Sequence, residues 1–203
     1  MTKDHEWKDR LGSFWTWFAQ GVEVGRFKEF DDDSMLIELN SEVSQFPGLT
    51  WELGPGEKTE YALTISPDGD SALLGLSRAL VEAAPSIQNW EFYSARRARG
   101  PAEVFTLVDE SGAEVSIDAS GWLYSLLRHP DGMVELIIEQ GDLGLSEDRQ
   151  YQAAVLAVDG AIGEERRLET ICAVDGVVRL DERYRDKATK FSYLRQHLAQ
   201  FEG

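Results

Sequence analysis

Three arginines within four positions, Arg96-Arg97-Ala98-Arg99, are the residues of this chain whose type and spacing most plainly suit chemistry. A guanidinium presents a planar fork of donors that grips a carboxylate or phosphate through two hydrogen bonds. The segment follows an expected strand and stands out against an acidic background. One reading is an anion or partner contact at a strand end. The other is a loop whose arginines neutralise neighbouring acids. Trp15 and Trp17 also carry two readings, because tryptophan anchors interfaces and equally fills cores. Arg96, Arg97, Arg99 and Trp17 are the residues assigned to ligand or partner binding.

The other polar residues assign no catalytic residue, no metal and no cofactor. His5, His129 and His197 are scattered, and none has a ligand partner at zinc-site spacing on one helix face. His129 precedes Pro130 in an expected turn, where contact with a carboxylate in space stays open. Asp31-Asp32-Asp33 and Asp68-Gly69-Asp70 do not make a calcium loop; in a series begun at Asp68 the ligand position after Asp70 falls on Ala72. Helix capping and turn formation account for both runs. Neither a nucleophile elbow, a P-loop nor a dinucleotide-binding glycine pattern occurs, and Gly54-Pro55-Gly56 has no expected helix after it to receive a phosphate. Cys172 is the single cysteine; in the apolar run Ile171-Cys172-Ala173-Val174 it reads as a buried, inert thiol in a reducing compartment.

Charge narrows the partners. The chain has 203 residues, with 37 Asp and Glu against 20 Lys and Arg, a formal net charge of −17. Ten basic and 17 acidic residues fall in 1–100, and 10 and 20 in 101–203, so the excess belongs to the whole surface. Such a field repels nucleic-acid phosphates and anionic membranes and speeds encounter with basic proteins. It also favours plain solubility. No apolar run approaches the roughly 20 residues that span a bilayer. The charged start Met1-Thr2-Lys3-Asp4-His5-Glu6 lacks the apolar centre of a secretion signal, so a cytoplasmic location is expected.

With 42% hydrophobic residues and six tryptophans, the chain can bury a substantial core. Ser13 reads as the cap of a helix through Phe14, Trp15, Trp17, Phe18 and Val22. Asp31-Asp32-Asp33-Ser34 opens a second helix with Leu36, Leu39 and Val43 on one face. Alternation over Leu49–Leu53 and Tyr61–Ile65 predicts strands. Ser71 is the expected cap of a helix with Leu73, Leu76, Leu80 and Ala84 on one face, and Trp90–Tyr93 closes a β-β-α-β series. Hairpins follow at Val104–Val108 with Glu114–Ile117, and at Trp122–Leu127 with Met133–Ile138. Ser146 starts a helix with the stripe Tyr151, Val155, Val158 and Ile162, stopped by Gly163. Asp175-Gly176 reads as a hairpin turn between 170–174 and 177–180. Phe191, Leu194, Leu198 and Phe201 share one face of a C-terminal helix.

The expected fold is therefore α+β, mainly antiparallel, built from β-β-α-β and hairpins with packed terminal helices. Gly100-Pro101 is the best candidate boundary, giving one continuous domain or two halves, 1–100 and 101–203.

Phe14-Trp15-x-Trp17-Phe18, Pro47-Gly48-Leu49-Thr50-Trp51-Glu52-Leu53 and Ala84-Pro85 leading to Trp90-Glu91-Phe92 together resemble an uncharacterised family of bacterial cytoplasmic proteins. The likeness covers 13–95 and extends loosely over 150–175, with Gly163-Glu164 at a helix end, while Ala95–Pro101 fits it in part. The resemblance implies no activity. It implies a distant similarity to small acidic regulators of a ribonuclease, and it transfers no residue roles. Two expectations follow: a non-catalytic regulator of a basic protein, or a small-ligand binder or enzyme using Arg96, Arg97 and Arg99 to hold an anion.

Overall fold

Leu11, Phe14, Trp15 and Phe18 recur at the three- and four-residue spacing that lines one helix face. In the computed structural model they lie on α1, Lys3–Glu23. Residues 3–27, 33–100 and 104–200 are described, with side chains from residue 9 onward, and they form two compact units, Met1–Arg96 and Arg97–Gly203. The division falls shortly before Gly100-Pro101. The helix begins well before Ser13, because nothing in 3–12 breaks it. Ser13 is interior, and its hydroxyl donates to the Asp9 carbonyl one turn back at 2.8 Å instead of capping.

The first unit continues with α2, Asp33–Val43, whose buried side chains are Met35, Leu39 and Val43. Asp31 and Asp32 lie outside the described residues; Asp33 opens the helix. Strands β1, Thr50–Gly54, and β2, Tyr61–Ser66, pair antiparallel with Trp51 opposite Ile65. A single turn of 3₁₀ helix at Ser71–Leu73 leads into α3, Leu74–Glu82. Its cap is Asp70, one residue before the expected Ser71: the Asp70 carboxylate accepts from the Ala72 N–H at 2.9 Å. Strand β3, Trp90–Tyr93, then pairs parallel to β2, with α3 within the crossover that a parallel pair needs.

Aromatic rings fill the core of this unit. Phe18 stacks on Phe27 at 4.5 Å and meets Trp90 edge-on at 5.0 Å, while Trp15 meets Phe92 at 4.6 Å. Trp15 is 2% exposed, and its indole N–H donates to the Leu80 carbonyl at 2.6 Å. Burying a polar edge without that bond would be costly.

The second unit opens with the hairpin of β4, Val104–Val108, and β5, Glu114–Asp118. A second hairpin joins β6, Leu123–Arg128, to β7, Val134–Glu139. Helix α4, Glu147–Ile162, starts at a Ser146 cap and stops at Gly163, as expected. Its buried face is Ala153, Ala154, Ala157, Val158, Ala161 and Ile162. Tyr151, expected on the buried stripe, lies near the start of α4 and is 54% exposed. A further helix, α5, Glu164–Thr170, follows directly and was not expected. Strand β8, Ile171–Val177, then pairs parallel to β7.

The expected hairpin at Asp175-Gly176 does not form, because β8 runs straight through both residues. A Cβ at Gly176 would lie 2.5 Å from Oε1 of Gln140 and 3.0 Å from the Gln150 carbonyl. This glycine therefore serves close approach inside a strand, not a turn. The expected burial of Cys172 fails for a related reason. Val134 pairs with Ile171 and Glu135 with Ala173, so Cys172 is the extra residue of a β-bulge. It is exposed, with its thiol donating to the Val134 carbonyl at 3.3 Å.

The chain ends through α6, Glu182–Arg185, the short strand β9, Thr189–Lys190, beside β6, a 3₁₀ turn at Phe191–Tyr193, and α7, Leu194–Ala199. Phe191, Leu194 and Leu198 are buried as expected, and Phe201 lies outside the described residues. The fold is α+β. Sheet orders are β1-β2-β3, β4-β5 and β8-β7-β6-β9, and four of six pairings among the described residues are antiparallel.

Candidate functional site

Strand β3 delivers Arg96 beside β1 and the turn after β2, where two carboxylates meet it. Its Nε donates to Oε1 of Glu52 at 2.5 Å and its Nη2 to Oδ1 of Asp68 at 2.9 Å. Asp68 holds φ 50, a left-handed conformation that aspartate tolerates better than most residues. The Arg96 side chain is 21% exposed, so this fork works as a clamp within the first unit. Arg97 and Arg99 belong to the second unit. The Arg99 N–H donates to the Gly160 carbonyl at 2.8 Å, tying this segment to the C-terminal turn of α4.

That turn is rich in buried charge. Asp159 on α4 pairs with Arg167 on α5, Nε to Oδ1 at 2.5 Å, and Glu164 is fully buried between them in sequence. Gly163-Glu164 thus joins α4 to α5, and the backbone N–H of Arg99 docks on Gly160, one turn before it. Elsewhere in the unit, Oη of the buried Tyr124 lies 2.8 Å from Nδ1 of His197, and burial pushes its phenol up to about 12. His129 meets Glu135 at 3.5 Å on the surface of the β6–β7 hairpin. Among the described residues no group of three or more His, Cys, Asp and Glu side chains is placed to hold a metal ion. No helix among them is long and apolar enough to cross a membrane.

Trp17 is half-buried, in contrast to Trp15. One side of its ring packs near Phe14, Phe18 and Phe27, with the Phe27 centroid 5.8 Å away. Together with Asp9, Gly12, Ser13, Thr16 and Gln20 it lines an open depression of about 680 Å³ along α1. The hydroxyls of Ser13 and Thr16 donate to the carbonyls of Asp9 and Gly12, which leaves them acceptors only towards a ligand.

Nothing in the sequence marks the outward face of the β4–β5 hairpin as a surface. Leu107 and Ile117 are buried on its inner face, so Val104, Thr106 and Val108 on β4, and Glu114, Ser116 and Asp118 on β5, point outward and are exposed. Val104 is 61% exposed and Val108 48%. The alternation was legible; which phase faced the core was not.

No family model, no curated protein and no solved structure matches this chain.

Proposed function

We propose that this protein is a non-catalytic binding partner of a basic protein, with a regulatory role. One observation carries the reading: an acidic excess that internal pairing leaves standing. With 37 acidic residues against 20 basic ones, 17 carboxylates would remain even if every cation held one. Cations already committed to carboxylates include Arg26 with Glu38, Arg96 with Glu52 and Asp68, and Arg167 with Asp159. The resulting field accelerates encounter with a positive partner. The resemblance to an uncharacterised family, and its distant similarity to acidic ribonuclease regulators, agrees with this reading, and a cytoplasmic location is part of the proposal. An anion site built on all three arginines is the less favoured reading, because Arg96 already grips two carboxylates.

Affinity capture of the tagged chain from its native lysate, at low and moderate salt, tests this. One stoichiometric basic protein, recovered less well as salt rises, is the expected result. An empty capture under both conditions would overturn the reading.

A further inference from the structure

We propose that the outward face of the β4–β5 hairpin is the surface that receives the partner, and that the occupant is an extended basic segment alternating Lys or Arg with aliphatic residues. The inference rests on the binding-protein reading and adds its location and chemistry.

The outward face carries a valine at each end of β4 and a carboxylate opposite each on β5, with the Thr106–Ser116 pair between them. Val104 stands opposite Asp118, Thr106 opposite Ser116 and Val108 opposite Glu114, so each exposed valine has a carboxylate as its cross-strand neighbour. Residues 104–118 contain Asp109, Glu110, Glu114 and Asp118 and no Lys or Arg. The turn between the strands adds Asp109 and Glu110. Ser146, the cap of α4, donates its hydroxyl to Glu110. Arg149 is the cation near Glu110, and its Nη1 donates to Oε1 of Gln152 at 2.6 Å.

Three of these carboxylates, Asp109, Glu110 and Asp118, are held in their charged form. The Ser111 hydroxyl, then the backbone N–H groups of Ala113 and Ser111, hold Asp109 below the usual range; Ser120 does the same for Asp118 and Ser146 for Glu110. Among the described residues β4 and β5 pair only with each other, so their outer edges keep backbone donors and acceptors available. A segment with alternating side chains matches this pattern. Paired along the edge of β4, it turns its Lys or Arg side chains to the outward face, where their stems cover Val104 and Val108 and their charged heads reach towards the carboxylates, and its aliphatic residues to the inner face.

The test titrates the ¹⁵N-labelled full chain with a short peptide of alternating Lys and Val, followed by NMR. Two double variants are compared by binding affinity: Glu114→Lys with Asp118→Lys on the ribbon, and Glu23→Lys with Glu82→Lys on the first unit. Both change the net charge equally, so any difference between them reports location. The expected result is that wild-type shift changes concentrate in 104–118 and that the ribbon variant binds about tenfold more weakly than the other. The wild-type map stands even if the ribbon variant folds poorly. Equal weakening of both variants, or shifts scattered over the chain, would overturn the ribbon and leave the binding-protein reading standing. No binding by the wild type at low salt would overturn the ribbon proposal, while the binding-protein reading is decided separately by the capture experiment.

Discussion

Arg167 and Asp159 form a two-pronged ion pair across the joint of α4 and α5, with Nη2 to Oδ2 at 3.3 Å completing it and side-chain exposures of only 9% and 3%. Removing one member leaves the other charge buried without its counter-ion, which costs far more than an exposed pair is worth. Asp159→Asn is expected to lower stability by about 3–5 kcal/mol in urea unfolding. Asp159→Leu with Arg167→Met is expected to recover most of that loss. A loss below about 1 kcal/mol for the single variant would show the pair to be solvated.

Gly163, between the same two helices, holds φ 88 and ψ 144 while its N–H donates to the Asp159 carbonyl at 2.8 Å. A Cβ there is strained whatever space surrounds it. Gly163→Ala is expected to cost about 1–3 kcal/mol, read from the shift in the unfolding midpoint at unchanged slope.

The two tryptophans of α1 should separate by their surroundings. Trp15→Phe deletes the bond to the Leu80 carbonyl inside the core and is expected to cost about 2 kcal/mol. Trp17→Phe, at a half-buried position, is expected to cost under about 1 kcal/mol. Thermal unfolding of both variants checks the order, and a reversed order would contradict this account of the core.

Tyr124 makes a pH prediction. Burial raises its phenol from 10.0 to about 12, so in the folded protein it keeps its proton where the unfolded chain loses it. That contribution to stability is complete below pH 10 and is lost as pH rises through about 12. Tyr124→Phe is expected to flatten the fall of stability between pH 10 and 12, followed by urea unfolding at several alkaline pH values.

Local pattern was legible where one rule governed. The caps at Ser146 and Gly163, the turn chemistry of the β4–β5 and β6–β7 hairpins, and the apolar stripe of Phe191, Leu194 and Leu198 follow from spacing alone. Asp175-Gly176 misled because the glycine of a turn and the glycine of a close approach look alike in sequence; Gln140 and Gln150 decide between them. Cys172 misled because a bulge shifts the inside–outside alternation by one residue. Arg96 was legible as an anion-gripping residue, but not that Glu52 and Asp68, far off in the chain, are the anions. The exposure of Val104 and Val108 depends on which face of the ribbon meets Trp122, with Phe105 6.3 Å from its ring, a long-range fact that alternation alone does not carry.

The most direct test of an acidic binding protein is the association rate of the captured partner as a function of salt. The account predicts an association rate that falls steeply as ionic strength rises, with a dissociation rate that changes little. A partner whose association rate ignores salt would contradict it.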